Sequence, residues 1–131
     1  MVAQIVTIEE MRASLRRGQR LLGLDLGTKT IGLALSDVEF RIATAFRTIQ
    51  RRKFRDDAAE LAEIASKFHI SGLVVGLPRN MDGTDGPRVQ ATKAFVRNLA
   101  PLVPLPVLLW DERLSTVAAE RMLVEADLSR R

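Results

Sequence analysis

Three segments of the 131-residue chain carry side chains that could do chemistry. The first is Asp25, set inside the run Arg20-Leu21-Leu22-Gly23-Leu24-Asp25-Leu26-Gly27. An ionised carboxylate in an apolar strand is costly unless it is paired or metal-bound. Asp25 is therefore either held by Thr28, Thr30 or a neighbouring arginine, or it is a metal ligand on a rigid strand, the placement that holds geometry best. The second reading is favoured. The spacing around it is neither the G-x-x-x-x-G-K of a P-loop nor G-x-G-x-x-G. What remains is Asp-x-Gly-Thr-x-Thr between two strands, where the hairpin amides, Thr28 and Lys29 can meet a phosphate beside the carboxylate. The second segment, Asp111-Glu112-Arg113, follows a strand directly, at the end where open α/β sheets place their sites. Period-two alternation sends Asp111 and Glu112 to opposite sides, so at most one of them faces Asp25. Arg113 can neutralise a phosphate or pair with a neighbouring acid, and the competing reading is acids favouring the start of a helix near Ser115. The third is the 77–88 loop, long for a mere connection. It offers Asn80 and Arg88 as donors near a helix N-terminus, with Asp82 and Asp85 as turn and cap residues.

These groups need elements to hold them. Thr7-Ile8-Glu9-Glu10 has capping-box spacing and opens a helix over about 7–17. The nearly continuous apolar run 20–27 reads as a strand buried on both faces. Thr28 and Lys29 turn it into a second strand, Thr30 to Ser36, and a third covers Ile42 to Ile49. A helix over about 55–68 carries Ala58, Leu61, Ile64, Ala65 and Phe68 at helical spacing. Leu73 to Leu77 is a further buried strand. A helix with Pro87 in its first turn, capped by Thr84 and Asp85, runs to about Leu99. Val107 to Trp110 is the last strand, and a helix over about 115–125 follows. The order β-β-β-α-β-α-β-α predicts one α/β domain with a mixed five-stranded sheet and helices on both faces.

Composition narrows the function classes. No Cys is present and His69 is the single His, which excludes thiolate zinc, a Cys nucleophile and a multi-His cage. No apolar run is long enough to span a bilayer, and residues 1–20 lack the apolar core of a secretory signal, so the expected setting is the cytoplasm. Twenty basic residues stand against sixteen acidic ones, a net charge of +4. Sixteen of the twenty are arginines, whose planar fork suits phosphate. The basic cluster 51–55 fits either a nucleic-acid backbone or a solvated helix start. His69 reads as a partly buried helix-end residue, Trp110 as core, and Asp37 and Glu39 as loop acids.

Taken with these residues, the chain resembles the YqgF (RuvX) family of Holliday-junction resolvases in the ribonuclease H-like superfamily. The resemblance rests on Leu24-Asp25-Leu26-Gly27-Thr28-Lys29-Thr30-Ile31-Gly32, on Gly76-Leu77-Pro78-Arg79-Asn80-Met81-Asp82-Gly83, and on Trp110-Asp111-Glu112-Arg113-Leu114-Ser115-Thr116 continuing to Glu120-Arg121. The first motif is shared with actin-like and sugar-kinase ATPases; the other two are specific. The resemblance implies sheet order 3-2-1-4-5 with strand two antiparallel, and a Mg²⁺- or Mn²⁺-dependent nuclease. Its implied substrates are the 5′ end of pre-16S rRNA or branched DNA, cut by a monomer or homodimer. Asp25 matches the first-strand catalytic acid and Glu112 the acid of the D-E-R motif, both as metal ligands. Family members also continue past the Ser129-Arg130-Arg131 reached here into a helix bearing a further Asp, a ligand that residues 1–131 therefore lack.

The mechanism so implied is metal-assisted phosphodiester hydrolysis, with Thr28, Lys29, Asn80, Arg88 and Arg113 positioning the phosphate. Two alternatives stand beside it. A non-catalytic nucleic-acid or ribosome-biogenesis binding module would bind in a salt-sensitive way without cutting. A lobe of an actin-like ATPase or sugar kinase would need a second lobe to form its nucleotide cleft.

Overall fold

The computed structural model describes residues 5–16, 18–37, 43–78, 80 and 82–111. Helix α1 spans Ile8–Ser14. Its capping box is complete: Glu10 N–H donates to Thr7 Oγ1 at 3.1 Å, and Thr7 N–H donates to Glu10 Oε1 at 3.0 Å. The helix stops at Ser14, short of the expected 17, because Leu15 turns extended and Ser14 Oγ donates back to the Met11 carbonyl at 2.8 Å. Strands β1 (Arg20–Leu26), β2 (Thr30–Ser36) and β3 (Ala43–Gln50) form an antiparallel meander. Helix α2 (Phe54–Lys67) leads to β4 (Ile70–Leu77), and α3 (Pro87–Leu99) leads to β5 (Val107–Asp111).

The sheet has the order β3-β2-β1-β4-β5, with β1 antiparallel to β2 and parallel to β4. One face carries the main core. Leu22, Leu24 and Leu26 of β1 meet Ala58, Leu61 and Ile64 of α2 and Phe95, Val96 and Leu99 of α3. The 3.6-residue spacing of α2 brings that stripe to one side, as periodicity requires. Phe54 and Phe95 tie the two helices together edge to face, ring centroids 5.3 Å apart. On the other face α1 covers only the base of the strands, packing Met11 on Leu21 and Leu108. Helices thus lie on both faces, unequally among the described residues.

That inequality corrects the reading of β1 as buried on both faces: Leu22, Leu24 and Leu26 are buried, whereas Asp25 is exposed. Trp110, expected in the core, is only partly buried on the same side as Asp25. His69 is exposed just past α2 with φ +54°, rather than partly buried. Thr84 and Asp85 do not cap α3; its N-cap is Gly86, with no side-chain hydrogen bond. Asp85 instead meets Lys93 Nζ at 3.1 Å, about two turns further on at 3.6 residues per turn. The expected helix over 115–125 lies outside the described residues. Among those described, no helix is long and apolar enough to cross a membrane.

One buried acid went unnoticed in the sequence. Asp57, 1% exposed, lies in the first turn of α2. The N-cap Lys53 has no side-chain acceptor, and Asp57 Oδ1 takes the Arg52 N–H at 3.2 Å instead, with Arg52 Nε at 4.0 Å. A charged acceptor on a buried backbone donor is worth roughly 1.5–3 kcal/mol. Asp57→Ala is expected to lose about 2 kcal/mol, read as an earlier urea midpoint with an unchanged slope.

Candidate active site

Asp25 is the middle position of a row that crosses all five strands. Register pairs Thr48 with Gly32, Gly32 with Asp25, and Gly76 with Trp110. Leu24 aligns with Val75, so Gly76 is the next position beside Asp25 on β4. The carboxylate therefore has a glycine on each neighbouring strand. A Cβ on Gly32 would touch the Asp25 Cβ at 3.6 Å, so even a methyl there would meet the base of the acid. One row nearer the base, Ala45, Ala34, Gly23, Val74 and Leu108 continue the same face with mostly small side chains. The result is an open trough of about 730 Å³, with Asp25 and Trp110 among the residues along it.

Asp25 makes no hydrogen bond or ion pair with any described residue. The alternative in which Thr28, Thr30 or a described arginine holds it is thus not what this fold does. Its cost in the strand is avoided by exposure rather than by pairing, since glycine neighbours leave it open to water. An exposed carboxylate with no partner among the described residues and a glycine on each neighbouring strand fits a divalent ion, because magnesium is commonly held by one or two carboxylates while keeping several waters. Among the described residues no group of three or more His, Cys, Asp or Glu converges on one point.

Of the other residues singled out, Thr28 and Lys29 are exposed at the tip of the β1–β2 hairpin. Gly27 makes that tip possible: its N–H donates to the Thr30 carbonyl at 2.8 Å, and a Cβ there would sit 3.1 Å from the same oxygen. Arg88, in the first turn of α3, donates Nη2 to the Leu26 carbonyl at 3.3 Å. Asn80 spends part of its capacity on its own loop, giving Nδ2 to Thr84 Oγ1 at 3.0 Å. Thr84 in turn donates N–H and Oγ1 to Asp82 Oδ1, at 3.0 and 2.6 Å, so Asp82 is the turn residue expected. Glu112 and Arg113 lie outside the described residues. Asp111 aligns with Leu77, on the side of the sheet opposite Gly76 and Trp110.

Arg51 is the residue that the sequence did not single out. Its Nη1 donates to the Gly27 carbonyl at 2.6 Å, and its N–H to the Lys29 carbonyl at 2.9 Å. In sequence it is one of several cations in 51–55, and only the register of β3 against β2 brings it to the hairpin. No short-range pattern encodes that pairing.

Three comparisons bear on this geometry. The family described as "RuvX: Holliday junction resolvase" matches residues 19–131. A protein of Methylocella silvestris named "Putative pre-16S rRNA nuclease" is 58% identical over 99% of this chain and 81% of its own length. One of the same name from Rhizobium etli is 59% identical over 96% of this chain and 77% of its own. Among solved structures, Thermus thermophilus RuvC in complex with a Holliday junction substrate superposes with a TM-score of 0.52. It is 16% identical and covers 85% of this chain and 79% of that one. That likeness is one of fold, and the fold is ribonuclease H-like.

Proposed function

The chain belongs to the RuvX family, and on that premise we propose that it hydrolyses phosphodiester bonds of nucleic acid with a divalent cation, Mg²⁺ or Mn²⁺, held at Asp25. The observation that carries this reading is the state of that side chain: without a partner among the described residues, exposed, flanked by Gly32 and Gly76, at the C-terminal end of the central strand. Asp25 and Glu112 are the proposed ligands. Asp111 is set aside because its register places it on the other side of the sheet. Bound there, the cation would polarise the phosphodiester and offset charge as the leaving oxygen departs.

The remaining work falls to the chain's own residues. Asp25 would hold the ion through its carboxylate, on a strand that keeps it rigid where a loop would not. Glu112 orients the attacking water and takes up its proton. Lys29 and Thr28, at the exposed hairpin tip, grip the scissile phosphate from one side, with Arg113 and the remaining amide capacity of Asn80 as further donors, while Arg88, bonded to the Leu26 carbonyl, takes a neighbouring backbone phosphate. Their contacts are to phosphate and position the strand without reading its bases.

The proposed substrate is the 5′ region of pre-16S rRNA, from the names of the relatives. The family description favours a second reading, cleavage of a four-way DNA junction, which would call on two copies to cut symmetric strands. The proposed setting for either is the cytoplasm. Cleavage of an rRNA precursor, an unstructured RNA and a four-way DNA, each with Mg²⁺, Mn²⁺ or chelator, decides among them. The expected result is a metal-dependent product from the precursor and none with chelator. Binding without any product would leave the non-catalytic module as the better account.

A further inference from the structure

We propose that Arg51 and Arg88 form a second phosphate pocket, separate from the Asp25 position, which holds a non-scissile backbone phosphate of the bound nucleic acid. The identity of that ligand rests on the nuclease reading; the pocket itself rests on geometry. A cavity of about 80 Å³ lies between the β1–β2 hairpin and α3, lined by Leu26, Gly27, Thr28, Arg51, Arg88 and Phe95 among others. That is room for one oxyanion.

Two guanidiniums converge on it. Arg51 reaches the Gly27 carbonyl and Arg88 the adjacent Leu26 carbonyl. The Arg51 guanidinium also lies 5.5 Å from the Phe95 ring centroid. Each has five N–H donors in a planar fork, and the hydrogen bonds above use one side-chain nitrogen apiece. Neither has a carboxylate partner among the described residues. The contrast with the nearby arginines is informative, for Arg47 and Arg52 share Glu60 at 3.4 and 3.0 Å. Two like charges fixed at neighbouring carbonyls repel unless an anion lies between them, and guanidinium forks match phosphate oxygens in pairs. Thr28, exposed and without a partner among the described residues, adds a hydroxyl at the rim.

The side of the sheet sets the role. Leu26 points into the main core towards α3, so the neighbouring Asp25 points away from it. A phosphate between Arg51 and Arg88 is therefore across the hairpin from the carboxylate and is not the one attacked. It anchors the strand on one side of the hairpin while the scissile group lies on the other.

The test measures binding of a labelled RNA and a labelled four-way DNA in chelator over a salt series. Neutralising one phosphate contact changes the slope of log affinity against log salt by about 1. The R51Q/R88Q double variant is expected to show a slope shallower by about 1. The R97Q control, about 13 Å further along α3 at 1.5 Å per residue, should keep the parent slope. The wild-type chain provides a second readout that needs no variant. Inorganic phosphate should raise its melting temperature above that in chloride of equal ionic strength, and R51Q and R88Q singly should each reduce the rise. An unchanged slope in the double variant overturns the proposal, and stabilisation by phosphate with an unchanged slope would mark a free-anion site instead. Loss of slope in a chain that never cuts would keep the pocket and sink the nuclease reading. An unchanged slope in a chain that cuts would do the reverse.

Discussion

Asp25→Asn is expected to lower metal-dependent cleavage by about 10³-fold, equivalent to ~4 kcal/mol of barrier at 1.36 kcal/mol per tenfold. The substitution keeps the shape of the side chain and removes its charge, which is what a cation requires of it. The melting temperature should not move, because the carboxylate is exposed and makes no hydrogen bond or ion pair with a described residue. That combination separates a ligand from a structural acid. A structural Asp25 would lose stability on amidation, as Asp57 is expected to, and a merely surface one would lose nothing. The metal dependence gives a further check. If Asn binds the ion weakly, raising Mg²⁺ should recover part of the lost rate. If the rate of the variant equals that of the parent at all metal concentrations, Asp25 holds no catalytic ion.

All eight described elements follow from features readable in the chain, and their sheet order is the one that the family resemblance implies. Period-two runs, a capping box at Thr7, the Pro87 helix start and the 3.6-residue stripe of α2 are local signals, and local signals survive folding. The environment of Asp25 was less legible. Sequence placed it in an apolar run and inferred burial on both faces, as parallel sheets usually show. The run is apolar for another reason. Leu22, Leu24 and Leu26 serve one face, while Gly23 and Asp25 serve a face that α1 covers only near Leu21. Alternation alone carries that possibility, since every second residue from 22 to 26 is Leu and those between are Gly and Asp. The glycine walls are a matter of pairing: Gly32 and Gly76 are far apart in sequence and meet Asp25 only through register. Arg51 shows the same limit. Its neighbours in sequence are cations of the same kind, and what distinguishes it is a carbonyl 24 residues earlier.

Register also separates two adjacent acids. Gly76 aligns with Trp110 and Leu77 with Asp111 across the parallel β4–β5 pair. Gly76 and Trp110 share the face of Asp25, so Asp111 belongs to the opposite one. The proposal therefore assigns metal binding and water orientation to Glu112, and makes the two acids unequal. Glu112→Gln is expected to reduce cleavage at least about 10²-fold, the scale on which removing one preorganised charge acts in a transition state. Asp111→Asn is expected to stay within about tenfold, and its loss should appear in stability if anywhere, since Asp111 has interactions of its own. Two strand steps of ~4.8 Å separate β1 from β5, so Asp25 and the end of β5 start ~10 Å apart at the backbone. Gly76 lies on the strand between them, and is proposed as the gap over which Asp25 and Glu112 share the cation. Gly76→Leu would block the path without touching either acid, and should lower cleavage while leaving binding in chelator unchanged. If Asp111→Asn were the inactive variant and Glu112→Gln the active one, the pairing of Asp25 with Glu112 across Gly76 would be wrong, and the trough would lose its claim to the chemistry.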